Sequence, residues 1–331
     1  MIYKVKEMKT MAPGLITVVG SANMDLVMSV PRFPRPGETL LGGKLSVVCG
    51  GKGANQAVAL ARLGANVEFI GCIGSGGFGN DVVSIMEKEG IILDNLKITK
   101  EALTGAVIIF VDPDGEHVMV PDYGANLKLA PDDIKERENE IRKSSLIMLQ
   151  FELMEETNLT VVEIARKYGI PYMVNPAPLV YRGEDIIKGA EILTPNLAEA
   201  IELVGAELSL DFVGEDYSSL SIEDVYRLGE KLLDLGPRNV VITLGKNGSV
   251  FVSKSIRKHY GVFRVKQVDV TGAGDAFNAG LAYKLSLGDS IDSAIKFASA
   301  VAAIAVSRMG AQTSFPAIEE VKELINQPGS M

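Results

Sequence analysis

LIMLQFELMEETNLTVVEIARKYGIPYMV, residues 146–174, carries two apolar rhythms in succession. Leu146–Leu149 is an unbroken apolar run of strand length, as expected of a strand covered on both faces. Glu155–Tyr168 spaces its apolar residues as a helix does, opens on two acids that complement the helix dipole, and stops at Gly169. Tyr172–Val174 is again a short strand. Strand, helix and strand in this order make a crossover between parallel neighbours.

The same rhythm runs outward from this unit. Downstream it predicts strand Ile192–Thr194, helices Leu197–Val204 and Ser221–Leu235, and strand Val240–Leu244. Upstream it predicts strand Leu15–Val19, helix Ala54–Leu63 stopped by Gly64, strand Val67–Ile73, and helix Asn80–Glu89 before Gly90. Helices Ala273–Leu287, Ile291–Ser307 and Ile318–Ile325 close the chain. Such alternation predicts an α/β fold, a mainly parallel central sheet with helices on both faces. Two segments depart from it. Val27–Val48 holds short extended pieces among prolines, and Ala106–Val120 alternates around the turn Asp112-Pro-Asp-Gly115. Together they are expected to form a small β lid that excludes water from a reaction, or else two surface hairpins. The expected organisation is one α/β domain over residues 14–331 with lid segments at about 27–48 and 105–121. A loose N-terminal extension covers 1–13, in which Met11 could be an alternative start, and Glu207–Ser219 is an exposed loop.

Composition excludes several functions. Across 331 residues the net charge is −9, which argues against a nucleic-acid footprint. Phosphates must then be held by local dipoles and a bound cation. Cys49 and Cys72 are too few for a disulfide framework or a cysteine-rich metal site, and suggest a reducing, cytoplasmic setting. His117 and His259 stand in no metal-ligand spacing. Neither Leu15–Val19 nor Phe297–Val306 is long enough for a signal core or a membrane span.

Val270-Thr-Gly-Ala-Gly-Asp275-Ala-Phe277 is a glycine-rich turn running into a helix. Its first-turn N–H groups and dipole favour an anion, and Asp275 is placed to take a proton beside it. The segment is also an ordinary helix start; as a site it points to phosphoryl transfer. Cys49-Gly-Gly-Lys-Gly-Ala-Asn55-Gln56 lacks P-loop spacing, yet Gly50, Gly51 and Gly53 let a backbone crowd a small polar ligand, with Lys52 and Asn55 adding donors. Asn23 and Asp25 follow the first strand and can grip vicinal hydroxyls, or simply build a turn. Gly74-Ser-Gly-Gly-Phe-Gly79 fits a dinucleotide pattern without the acid such a site needs. Asn196 and Glu199 form a capping box after a strand and also suit a hydrated Mg²⁺. Thr243–Gly248 ends a strand in a glycine turn that receives a nucleotide or turns a hairpin.

These segments, in this order, together with Arg308-Met-Gly-Ala-Gln-Thr-Ser314, resemble the ribokinase-like family of carbohydrate kinases from about Leu15 to the C-terminus. The resemblance implies a three-layer α/β fold with a β-sheet lid, and transfer of the γ-phosphoryl of ATP to the 5-hydroxyl of D-ribose. It makes Asp275 the general base, with Gly272, Ala273 and Gly274 as backbone donors to the phosphoryl. Asn23, Asp25, Gly51, Lys52, Gly53, Asn55, Glu152, Asp269 and Asp275 itself fall where the family holds its sugar. Asn196, Thr243, Gly245, Gly248, Gly274 and Ser299 fall where it holds the nucleotide, with Glu199 beside a water on Mg²⁺. An activating K⁺ would sit by Asp269, Thr271, Ala305, Arg308, Gly310 and Ser314. The lid commonly forms a homodimer contact. Val270, the acid-free turn at 74–77 and the small Ser299 depart from the family pattern. A kinase for 2-deoxyribose, fructose or adenosine, a sugar-binding regulator without catalysis, and a dinucleotide oxidoreductase are the alternatives.

Overall fold

A computed structural model describes residues 14–204 and 220–327. The extension expected over 1–13 and the loop expected over Glu207–Ser219 lie outside the described residues. The first half contains strands β1 (Leu15–Val19), β2 (Asn23–Ser29) and β3 (Leu45–Gly50), helix α1 (Lys52–Arg62), strands β4 (Asn66–Ile70) and β5 (Cys72–Gly74), and helix α2 (Gly77–Lys88). Strands β6 (Lys97–Thr99), β7 (Gly105–Val111) and β8 (His117–Asp122) and short helices α3 (Pro131–Glu136) and α4 (Glu138–Ile141) follow. The middle alternates as β9 (Leu146–Gln150), α5 (Glu155–Tyr168), β10 (Tyr172–Asn175), α6 (Glu184–Ile187), β11 (Ile192–Leu193) and α7 (Leu197–Val204). It continues with α8 (Ile222–Asp234) and strands β12 (Asn239–Thr243), β13 (Ser249–Ser253) and β14 (Arg257–Tyr260). Helices α9 (Ala273–Ser286), α10 (Ile291–Val306) and α11 (Ile318–Asn326) complete the chain.

Eight strands form the central sheet in the order β14-β13-β12-β11-β10-β9-β1-β4. All neighbours from β12 to β4 are parallel, and β13 and β14 are antiparallel. Alternate side chains of one strand enter two separate cores. Ile16, Val18, Met148, Met173 and Val241 face a core with α1, α9 and α10. Val19, Ile147, Leu149, Val174 and Ile242 face another with α5, α7 and α8. Both sheet faces are therefore dry, which is why these strands read as unbroken apolar runs. The result is three layers, helix on sheet on helix. Among the described residues no helix is long and apolar enough to cross a membrane.

The strand order reverses at β1. From β1 the chain goes to β4 on one side, and later to β9, β10, β11 and β12 on the other. Open sheets of this kind leave a crevice at the carboxyl ends of the two strands flanking such a reversal. Here those strands are β1 and β9, with Val19 beside Leu149.

A second sheet, β3-β2-β7-β8, holds the segments that broke the rhythm. It is mixed, since β2 runs parallel to β7 and antiparallel to β3. Asn23 and Asp25 belong to β2 rather than to a turn, so these two residues ride on the smaller sheet. The strand expected over Val67–Ile73 is broken at Gly71. A Cβ there would lie 2.5 Å from the Phe69 ring and 2.8 Å from the Gly20 carbonyl. After this pinch β5 leaves the central sheet and pairs with β6. Strands β13 and β14 have no counterpart in the expected elements; the β12–β13 register, with Thr243 opposite Ser249, shows that Gly245–Gly248 turns a hairpin.

Candidate active site

The crevice opens into a cavity of about 760 Å³. The smaller sheet, the β3–α1 corner, the carboxyl ends of β9 to β12, and the start of α9 all contribute to its walls. Another cavity, of about 700 Å³, lies by the amino ends of β9 to β11. Its Arg166 is committed to the Asp185 and Lys188 carbonyls and its Arg238 to Glu191.

The N-termini of α1 and α9 both face the main cavity, and of these two α9 is the open one. In α1 the Lys52 N–H donates to Glu152 Oε2 at 2.9 Å, Gly53 N–H to Ser21 Oγ at 3.4 Å, and Ala54 N–H to the Ser21 carbonyl at 2.8 Å. Gly53 is needed because a Cβ would come within 2.7 Å of Gly20. It supports the wall and lies outside the lining, so of the loop glycines Gly51 is the one that borders the cavity. In α9 the Ala273 N–H is taken by the Val270 carbonyl at 3.1 Å. The Gly274 and Asp275 N–H groups have no partner among the described residues. Gly272 starts this helix at φ 75, a left-handed conformation that favours glycine.

Asp275 lies in the first turn of α9, buried. Asn55 Nδ2 donates to its Oδ2 at 3.0 Å and Gln56 Nε2 to its Oδ1 at 3.1 Å. Burial pushes its carboxyl above the usual range, and Lys52, Asn55 and Gln56 pull in the other direction. Across the cavity, burial with help from Glu152 and Asp275 pushes Asp25 up to about 7. Asp25 Oδ1 is a buried acceptor without a partner among the described residues. Glu152 stands just past β9 and accepts from Ser21 Oγ as well as from Lys52 N–H. Asn23 Oδ1 accepts from Asn126 Nδ2 at 2.7 Å, which turns the Asn23 amide N–H₂ away from Asn126. Lys52 is shifted down by burial, but Asp275, Glu152 and Glu199 outweigh that and keep its ammonium charged.

Toward the other end of the cavity, Asn196 and Glu199 form the expected reciprocal cap at 2.8 and 2.9 Å. Thr243, Gly245, Gly248 and Ser299 line this end beside the apolar side chains of Val262, Phe263, Val265 and Val306. Ser299 turns its hydroxyl back onto the Ile295 carbonyl at 2.9 Å. Thr271 also lines the cavity, whereas Asp269, Ala305, Arg308, Gly310 and Ser314 lie behind it. Asp269 accepts from Thr271 N–H and Oγ1 at 2.9 and 2.7 Å and from Gly310 N–H at 2.8 Å. Burial raises its carboxyl, but these bonds prevail and hold it below the ordinary range. Arg308 points its guanidinium at Glu320, and the Ser314 hydroxyl donates to the Ala311 carbonyl.

Several residues at the site had no role in the sequence reading. Gln56 and Gln312 were visible inside motifs, but nothing local shows what their amides touch. Ser21, Asn126 and Gln150 are brought in by contacts across 131, 104 and 94 residues of chain. The Gly74–Gly79 turn leads from β5, outside the central sheet, and spends its Gly74 N–H on Thr104 Oγ1 and its Ser75 N–H on the Thr99 carbonyl. That arrangement is unlike a dinucleotide cradle.

The sequence profile of pfkB family carbohydrate kinases matches residues 14–318. The ribokinase of Haemophilus influenzae is 38% identical over 311 residues, covering 94% of this chain and 98% of that protein. The crystal structure of Thermotoga maritima ribokinase superposes with a TM-score of 0.84 at 36% identity, covering 95% of this chain and all of that one. Arabidopsis thaliana ribokinase, solved in complex with ribose and ATP, also gives 0.84, at 28% identity over 96% of this chain and 100% of its own. The chain belongs to the pfkB family of carbohydrate kinases.

Proposed function

We infer that this protein catalyses ATP-dependent phosphorylation of D-ribose at the 5-hydroxyl, giving ribose 5-phosphate and ADP. One observation carries the reading: a buried carboxylate, Asp275, shares the first turn of α9 with the open N–H groups of Gly274 and Asp275. On this reading a proton acceptor stands against an anion cradle, in a cavity that Asn23, Asp25 and Glu152 also line. Phosphoryl transfer needs positioning and charge stabilisation more than covalent help. Asp275 takes the proton of the attacking hydroxyl, and backbone donors of this kind contribute about 3 kcal/mol each to the transferring group. Asn23, Asp25, Glu152, Lys52 and Gly51 hold the sugar hydroxyls, and the unpartnered Asp25 Oδ1 suits such a donor.

Four carboxylates, of Asp25, Glu152, Glu199 and Asp275, line the cavity against the two ammonium groups of Lys52 and Lys246. Glu199 and Asn196 supply oxygen chemistry that would fit the hydration shell of a Mg²⁺ bound with ATP, which would there offset phosphate charge. Asp269, Thr271, Ala305, Arg308, Gly310 and Ser314, several of them through backbone carbonyls, would hold an activating K⁺. Thr243, Gly245, Gly248 and Ser299 take the nucleoside end.

The smaller sheet would act as the lid and as the contact between two copies. Val47, Leu26, Ile108 and Val120 form one row across it on the face opposite Asp25. Val47, Ile108 and Val120 are 46%, 49% and 57% exposed, an apolar strip of a kind that a second copy would cover. The single-domain organisation over 14–331 and a cytoplasmic location belong to the same reading.

ADP release coupled to a reporter, with Mg-ATP and potassium, tests it across ribose, 2-deoxyribose, fructose and adenosine. Turnover dominated by ribose is the expected result. Preference for another acceptor would move the substrate and keep the chemistry, and no turnover on any of the four would overturn the inference.

A further inference from the structure

Asp275 is held by two amides, and each amide is itself held by a third group. Gln312 Nε2 donates to Asn55 Oδ1 at 3.1 Å, and Gln150 Nε2 donates to Gln56 Oε1 at 2.7 Å. An ionised carboxylate only accepts. Asn55 and Gln56 must therefore show it their N–H₂ ends, which leaves their oxygens pointing back at Gln312 and Gln150. Both outer amides meet those oxygens with N–H₂. The directions of these bonds agree with the acceptor at their junction, and Asn175 Oδ1, which also accepts from Gln56 Nε2 at 3.3 Å, supports the same orientation. Gln150 gives up something for this, because its buried Oε1 has no partner among the described residues.

We propose that Gln312 and Gln150 are positioning residues for Asp275: each locks one intervening amide so that both carboxylate oxygens meet N–H donors. The inference rests on Asp275 as the base of the reaction above. Gln312 sits between Gly310 and Ser314, so one of the two chains starts in the segment that is tied to Asp269 by the Gly310 N–H. The base and that segment thus share one continuous set of bonds. Without the outer donors, Asn55 loses the bond to its oxygen and Gln56 keeps only its 3.3 Å donation to Asn175 Oδ1 beside that to Asp275; an amide oxygen turned to face Asp275 repels it. Charged groups facing Asp275 are Lys52 from α1, Asp25 from β2, Glu152 after β9 and Glu199 from α7; none is altered by changing the glutamines.

The test uses Gln312→Leu, Gln150→Leu and the near-isosteric Gln312→Glu, each checked for its melting temperature. Asp275 is titrated in the free enzyme through its ¹³C-labelled carboxyl, and the acid limb of kcat/KM is recorded alongside. Each leucine variant should displace the Asp275 titration upward by about one pH unit, the loss expected for one hydrogen bond to a charged group. Gln312→Glu, which turns the donor into an acceptor, should displace it at least as far. An unchanged titration in the folded variants, with activity reduced evenly at all pH values, would overturn the proposal. The two chains reach different oxygens, so either one remains testable if a variant of the other does not fold. A titration that moves while the acid limb stays fixed keeps the positioning role and removes Asp275 from the base role.

Discussion

Replacing Asp275 with asparagine isolates the proton-transfer step, because the backbone N–H groups of the anion cradle remain. The new side chain has one oxygen and one N–H₂ where the carboxylate had two acceptors. One of the bonds from Asn55 and Gln56, at 3.0 and 3.1 Å, becomes a contact between two donors. Loss of a general base typically slows a reaction about 10²–10⁴-fold, equivalent to about 3–5 kcal/mol of barrier. The unsatisfied donor adds about 1–3 kcal/mol to the folding side, so the melting temperature should fall as well. Sugar affinity should change little, since Asn23, Asp25 and Glu152 are untouched. Steady-state ADP release at saturating ribose and Mg-ATP reads the first effect, and calorimetric ribose binding reads the last. A kcat within about threefold of the unmodified enzyme would refute the assignment of Asp275, because no base-catalysed step tolerates that change.

Two glycines of one turn should respond in opposite ways. Gly272→Ala puts a Cβ 2.9 Å from Ala311 at φ 75, and should lower stability by about 1–2 kcal/mol in thermal unfolding. Gly274→Ala meets nothing within 4 Å, so it should keep its melting temperature yet raise KM for ATP by pushing a methyl toward the phosphates. Ribose affinity should weaken as pH falls below about 7, where Asp25 takes up its proton, and Asp25→Asn should flatten that profile. The same upward shift means that the folded protein keeps a proton the unfolded chain has already released. Stability linked to Asp25 is therefore full below pH 3.8 and is lost as pH rises through about 7, which denaturation of the unliganded enzyme at several pH values will check. Turnover should rise when sodium is replaced by potassium, and Asp269→Asn should abolish that difference; equal rates in both salts would remove the cation from the site. Val120→Glu should convert a dimer to a monomer in sedimentation, and an unchanged mass would exclude the β2–β3–β7–β8 face as the contact.

Local features were legible in the sequence, and features built from distant contacts were not. The turn at Gly272–Asp275 could be read because anion cradle, helix start and carboxylate fall within a few consecutive residues. Helices α5 and α7 were placed to the residue because an acidic opening or cap and a change of apolar period mark their ends. Glu152 looks like any acid after a strand until the order β9-β1 puts it at the reversal point. Gln312 and Gln150 carry no signal of their own, since their amides gain a direction from distant partners through Asn55 and Gln56. The strand expected across Gly71 failed for a related reason: apolar periodicity does not register a backbone pressed against Gly20. The β14 strand, Arg257–Tyr260, is too polar to stand out, as befits a sheet edge open to water.

The sheet reversal has a consequence for what the enzyme measures. Asp25 and Asn23 are carried by a strand of the smaller sheet, while Asp275 is carried by a helix packed on the larger one. The distance between sugar holder and proton acceptor is therefore set by how two bodies rest on each other, not by any one loop. Such a gap works as a gauge of molecular length. A sugar that fills it brings its terminal hydroxyl up to the carboxylate, and one that is too short or too long can bind well and still leave that hydroxyl out of reach. Selectivity would then show itself in turnover more than in affinity.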